Sequence, residues 1–204
     1  MKDAATFDKA WEMTQPNFER VQVNYQGHLL DGYFRKPNGP AGRRFPTVIA
    51  FEGADTMAEN TIQNGGAYVA RGMAYFAMDF PGQGGAPRLL DLHLPSDTEQ
   101  IAKVVIDYLE TRPDVDADRI GTQAISMGGY GAPRAASGEP RIKAALMSSG
   151  SYCMQQDIFD YYPPIQGRVR WIIGAKDLAD ARTRLADYTL EGRASRIECP
   201  LLIG

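Results

Sequence analysis

Short β-rich runs at residues 47–51, 73–79, 120–125 and 142–147 recur along the chain, with helix-patterned segments between them, and the run at 47–51 (TVIAF) is unbroken. A run unbroken by polar alternation is the pattern of a strand covered on both faces. Strands that alternate with helices predict an α/β fold, a mostly parallel sheet with helices on both faces, because parallel neighbours need a crossover between them. Residues 199–204 start a further strand. Ahead of the first apolar run, residues 20–25 and 29–35 flank Gly27 and His28 and predict an antiparallel hairpin.

The helices are placed by their start signals. Thr56 and Glu59 form a capping-box pattern that opens a helix to Arg71, weakened inside by Gly65 and Gly66. Ser96 and Glu99 form a second such box. After it, Ile101, Val104, Val105, Tyr108 and Leu109 make one helical stripe. A helix of small residues is expected over 128–136 and another over about 176–190. Residues 151–196 change character, with several aromatics and a Pro163-Pro164 break. The expected organisation is a helical segment at 1–19, an α/β core at 20–150 and 197–204, and a helical lid at 151–196.

Composition removes several function classes. The 22 basic residues against 25 acidic give a net charge of −3, with no basic face that would take nucleic acid. No apolar run approaches the roughly 20 residues of a membrane helix. The first residues, MKDAATFDKAW, carry no apolar signal stretch, so a cytoplasmic location is expected. Cys153 and Cys199 read as free thiols, a single disulfide being the other reading. No metal or cofactor is expected, since His28 and His93 are the only histidines and neither has a ligand at helical spacing.

The strongest chemical signal is QAISMGGYG at 123–131. A strand runs into Ser126 and a glycine-rich helix leaves at once, the strand–nucleophile–helix elbow in which a tight turn lifts a hydroxyl out of the sheet. Such a turn needs small residues two before and two after the nucleophile, here Ala124 and Gly128. The usual pattern has glycine in both places. The alternative reading is a serine capping the following helix. Acyl transfer needs two backbone N–H groups aimed at the developing oxyanion. One is expected from Met127 and the other from the loop EGAD at 52–55, with Ala54 as donor and Gly53 giving room. That loop also reads as a plain turn capped by Asp55 or Thr56. The loop DFPGQGG at 79–85 misses the dinucleotide spacing, because Pro87 stands where its last glycine should be. It is expected to be a structural turn, with Asp79 ion-paired or bonded to nearby backbone.

Taken together, LLDGYFRKP, TVIAFEGADTMAE, RGMAYFAMDFPGQG, DRIGTQAISMGGYGAPRAA, EPRIKAALMSSG and RIECPLLIG resemble the α/β-hydrolase superfamily in order and spacing. They resemble more narrowly the branch that holds dihydroxypseudooxynicotine hydrolase and the fungal polyketide-shortening hydrolases. The resemblance implies Ser126 as nucleophile, Met127 with the Glu52–Ala54 loop at the oxyanion hole, and residues 151–196 as a lid. The family's acid and base follow later strands and find no matching positions here. The chain is therefore expected to be a C-terminally truncated fragment with little turnover by itself and an open apolar edge that favours self-association.

Two chemistries fit the branch: hydrolysis of an ester, or of a carbon–carbon bond next to a ketone. Tyr152, Tyr161, Tyr162 and Trp171 would bind a small aromatic substrate if the lid lines the pocket, and lid packing is their other reading. A catalytically inactive binding or regulatory module on the same fold is the alternative.

Overall fold

A computed structural model describes residues 2–14 and 17–204. Helix α1 (Lys2–Thr14) precedes the hairpin β1 (Phe18–Tyr25) and β2 (His28–Arg35). The expected segment at 1–19 is thus helical to Thr14, while residues 1, 15 and 16 lie outside the described residues. Then come β3 (Phe45–Phe51), α2 (Ala58–Asn64), α3 (Gly66–Val69), β4 (Ala74–Met78), α4 (Ala86–Leu89), α5 (Thr98–Glu110), β5 (Val115–Ile125), α6 (Gly128–Ala136) and β6 (Ile142–Ser148). Short helices follow, including a π-helix (Gln155–Asp160), α7 (Gln166–Ile172) and α8 (Leu178–Arg184), and β7 (Leu201–Ile203) ends the described chain.

The strands form one sheet in the order β1-β2-β4-β3-β5-β6-β7. Pairing is antiparallel from β1 through β2 to β4 and parallel across β4, β3, β5, β6 and β7. This is the expected α/β fold with a mostly parallel sheet. The two-sided apolar runs are its centre: every residue of β4 is buried, and Ile49, Ile120 and Ala124 are fully enclosed. The apolar stripe of α5 packs Ile101, Val105 and Leu109 into the same core. Ser126 follows β5, between β3 and β6, at the carboxyl end of the sheet where α/β proteins bind ligands.

Several local expectations are corrected. The helix expected over 56–71 is split at Gly65, where a Cβ would stand 2.6 Å from the Tyr75 ring and the chain must pass close. Neither capping box forms: the caps are Met57 and Asp97, and neither side chain bonds the helix. The first N–H of α2, on Ala58, instead donates to Asp79 Oδ1 from across the fold (2.8 Å). Glu99 is drawn away from any capping role by Arg134 and Arg193. The strand expected at 120–125 begins at Val115, because Val115 pairs with Phe45. The helix expected over 176–190 ends early, since a bridge between Cys153 and Thr189 pulls the chain into an extended pair. Both cysteines are free thiols.

Candidate active site

The β5–α6 junction is a strained turn. Ser126 has φ +56°, a left-handed conformation that costs a non-glycine residue about 1–2 kcal/mol and is held only where surrounding structure imposes it. Backbone contacts on both sides impose it. Ser126 N–H donates to Ser148 O of β6 (3.0 Å), and Ser126 O accepts from Gly129 N–H (2.8 Å). A Cβ on Gly128 would lie 2.3 Å from Phe51 O, and one on Gly129 would lie 2.3 Å from Gly150 Cα. The first turn of α6 therefore rests directly on the ends of β3 and β6. Ala124 is fully buried between Phe51 and Met147, so its methyl is accommodated where the elbow pattern usually has glycine.

Ser126 does not cap α6. The cap position is Met127, without a side-chain bond, and Ser126 Oγ has no hydrogen-bond partner among the described residues. The residue is exposed, so the hydroxyl is open to an incoming molecule. Gly53 stands beside it: a Cβ there would lie 3.4 Å from Ser126 Cβ and 3.8 Å from Oγ.

The loop after β3 is tied from three directions. Gly53 O accepts from Thr56 Oγ1 (2.7 Å), and Gln83 Nε2 reaches both Glu52 O (2.8 Å) and Gly53 O (3.0 Å). Arg168 of α7 donates to Ala54 O through Nε (3.2 Å) and Nη2 (2.9 Å) and pairs with Asp55 (3.0 Å). Asp55 and Thr56 thus hold the loop and do not cap α2. The N–H groups of Ala54 and Met127 have no acceptor among the described residues.

Behind the loop, Glu52 is buried and accepts from Gln123 Nε2 (2.7 Å) and the Tyr75 hydroxyl. Burial pushes its carboxyl above the usual range, with those two hydrogen bonds opposing the shift. Asp79 also has its pKa raised by burial, opposed by the Gly85 and Ala58 N–H groups that its carboxylate accepts. It is the backbone-bonded structural residue that was expected.

The other candidates make no hydrogen bond to the hydroxyl among the described residues. No hydrogen bond joins either imidazole to Ser126; His93 Nε2 faces Asp91 (3.1 Å), and His28 sits at the hairpin turn. Tyr161 and Tyr162 are 82% and 55% exposed on the segment after β6. Two cations lie over the Trp171 ring, Arg88 at 5.1 Å and Arg168 at 4.8 Å from its centroid. Sequence reasoning missed Gln83 and Arg168. The glutamine within the 79–85 turn was the available signal, whereas nothing local marks Arg168.

Comparison with known proteins agrees with this architecture. A family model described as esterase FrsA-like matches residues 3–162. Hydrolase LUC6 of Fusarium sp is 29% identical over 98% of this chain and 57% of its own length. The 2,6-dihydropseudooxynicotine hydrolase of Paenarthrobacter nicotinovorans is 30% identical over 97% of this chain and 53% of its own. A crystal structure of 2,6-dihydroxy-pseudo-oxynicotine hydrolase superposes with a TM-score of 0.88 at 28% identity, covering 98% of this chain and 56% of that one. The chain spans about half the length of these relatives.

Proposed function

The chain belongs to the esterase FrsA-like family, and from that premise we propose that it carries the nucleophile and oxyanion hole of a serine hydrolase. Ser126 is the nucleophile, and the N–H groups of Met127 and Ala54 receive the oxyanion, with Gly53 leaving room for the reacting carbonyl. The observation that carries this reading is the left-handed Ser126, its hydroxyl unbonded and set against Gly53.

In the first step Ser126 Oγ bonds to the substrate carbonyl carbon and yields its proton to a base. The carbonyl π pair moves onto oxygen, where preorganised N–H groups stabilise it. Collapse expels the leaving group, which takes the proton, and water then releases the acyl group by the same steps in reverse order. An ester loses an alcohol in this way. A carbon–carbon bond next to a ketone breaks in the same way where the departing carbon bears a second carbonyl, so that it leaves as an enolate and is protonated. No imidazole is bonded to Ser126 among the described residues, so this reading takes the base and acid from outside them.

A small aromatic molecule is the proposed substrate, with Tyr161, Tyr162 and Trp171 as the lid residues that would contact it. Their large rings are what supports that choice.

Turnover of p-nitrophenyl butyrate by the protein that carries this chain tests the reading. Ser126→Ala is expected to lower kcat by about 10³-fold or more. Equal turnover by parent and variant would overturn it and favour a binding module on the same fold.

A further inference from the structure

The turn at 79–85 has no part in the reading above, yet it reaches the loop beside Ser126. Gln83 is 6% exposed, and its side-chain nitrogen contacts two consecutive carbonyls, those of Glu52 and Gly53. A glutamine amide has two N–H donors, so one goes to each carbonyl and the donor capacity is used up. The peptides here are trans. In a trans peptide the C=O and the N–H that follows point in opposite directions. Drawing the carbonyls of Glu52 and Gly53 toward Gln83 therefore turns the N–H groups of Gly53 and Ala54 away from it.

Gln83 is itself fixed. Its own N–H donates to Phe80 O (2.8 Å), and Gly82 N–H donates to Leu92 O (2.9 Å). The turn is anchored by Asp79, which accepts from Gly85 N–H (2.6 Å) and so fills the space where a Cβ on Gly84 would fall. One carboxylate thus joins the turn to the start of α2, and one amide joins the turn to the loop after β3.

We propose that Gln83 is a positioning residue for the oxyanion hole. It sets the peptide planes at 52–54 so that the Ala54 N–H is aimed before substrate arrives. Arg168 holds the next carbonyl, that of Ala54, from the opposite part of the chain. The proposal rests on Ser126 being the nucleophile and adds a residue that touches neither substrate nor serine.

Two variants in the complete protein test it. Gln83→Glu keeps the shape but replaces the donor with an oxygen, and Gln83→Met removes both hydrogen bonds without adding charge. Three readouts are needed: kcat and KM for p-nitrophenyl butyrate, Ki for a trifluoromethyl ketone whose serine adduct bears an oxyanion, and the melting temperature. We expect kcat to fall about 10²-fold, as for a misplaced catalytic group, with KM within about twofold. Ki should rise by the same factor as kcat/KM falls. A folded variant with unchanged kcat, or with only KM altered, would overturn the proposal. So would failure of both variants to fold, which would make Gln83 a residue of the fold alone. Parent turnover no greater than that of Ser126→Ala would instead remove the nucleophile reading, and that arm is independent of Gln83.

Discussion

Gly128 approaches Phe51 so closely that a Cβ on it would stand 2.3 Å from the Phe51 carbonyl oxygen and 2.7 Å from that of Glu52. Both neighbours are backbone, so neither can swing aside. This contact seats α6 on the end of β3 and brings Ser126 beside Gly53.

Gly128→Ala is therefore expected to destabilise the protein by about 1–3 kcal/mol, the usual range for an overpacked site. It should also lower Ser126-dependent turnover, because the two halves of the site are forced apart. Urea unfolding together with kcat checks this; a variant as stable and active as the parent would contradict it.

Ser126 itself is expected to lower stability through its backbone. Ser126→Gly should be at least as stable as the parent, since relief of about 1–2 kcal/mol of left-handed strain offsets the greater freedom of the unfolded glycine. Ser126→Val, β-branched at φ +56°, should be less stable than either. Thermal unfolding of the three proteins would show that order.

The backbone logic of these sites was largely legible in the sequence. The unbroken apolar run at 47–51 and the short strand at 120–125 place both strand ends, and the small residues around Ser126 mark the elbow. What escaped was tertiary. The Thr56 and Glu59 pattern suggested a local cap, but Asp79 reaches the start of α2 from 21 residues away. Gly65 looked like a weak point inside one helix, and only the Tyr75 ring beside it explains why that position must be glycine. Arg168 meets Ala54 across 114 residues, a pairing that no local pattern encodes.

Glu52 gives a prediction in pH. Burial raises its folded pKa above the unfolded value, so the folded state binds the proton more tightly. The stability it contributes is present below the ordinary carboxylate range and is lost as pH rises through the folded pKa. Glu52→Gln cannot titrate, so its stability relative to the parent should improve from about pH 4 to about pH 7. Urea unfolding across that range checks the sign; a constant difference would contradict it.

Arg134 and Glu99 form a buried pair at 2.9 Å, their side chains 5% and 11% exposed. Arg134 also donates to the Tyr130 hydroxyl (3.1 Å) and to Thr189 O (3.3 Å), which links α6 to the segment after β6. Glu99→Ala leaves that cation without its carboxylate and should cost about 3–5 kcal/mol. Denaturant unfolding reads this directly, and a loss under about 1 kcal/mol would place the pair with ordinary surface ion pairs.

A fluorophosphonate, which reacts with an activated serine hydroxyl, probes Ser126 itself. The protein that carries this chain would be treated with the probe, digested and mapped by mass spectrometry. A single adduct on Ser126, absent from Ser126→Ala, is the predicted result. An adduct on another residue, or none from a preparation that hydrolyses p-nitrophenyl butyrate, would contradict it.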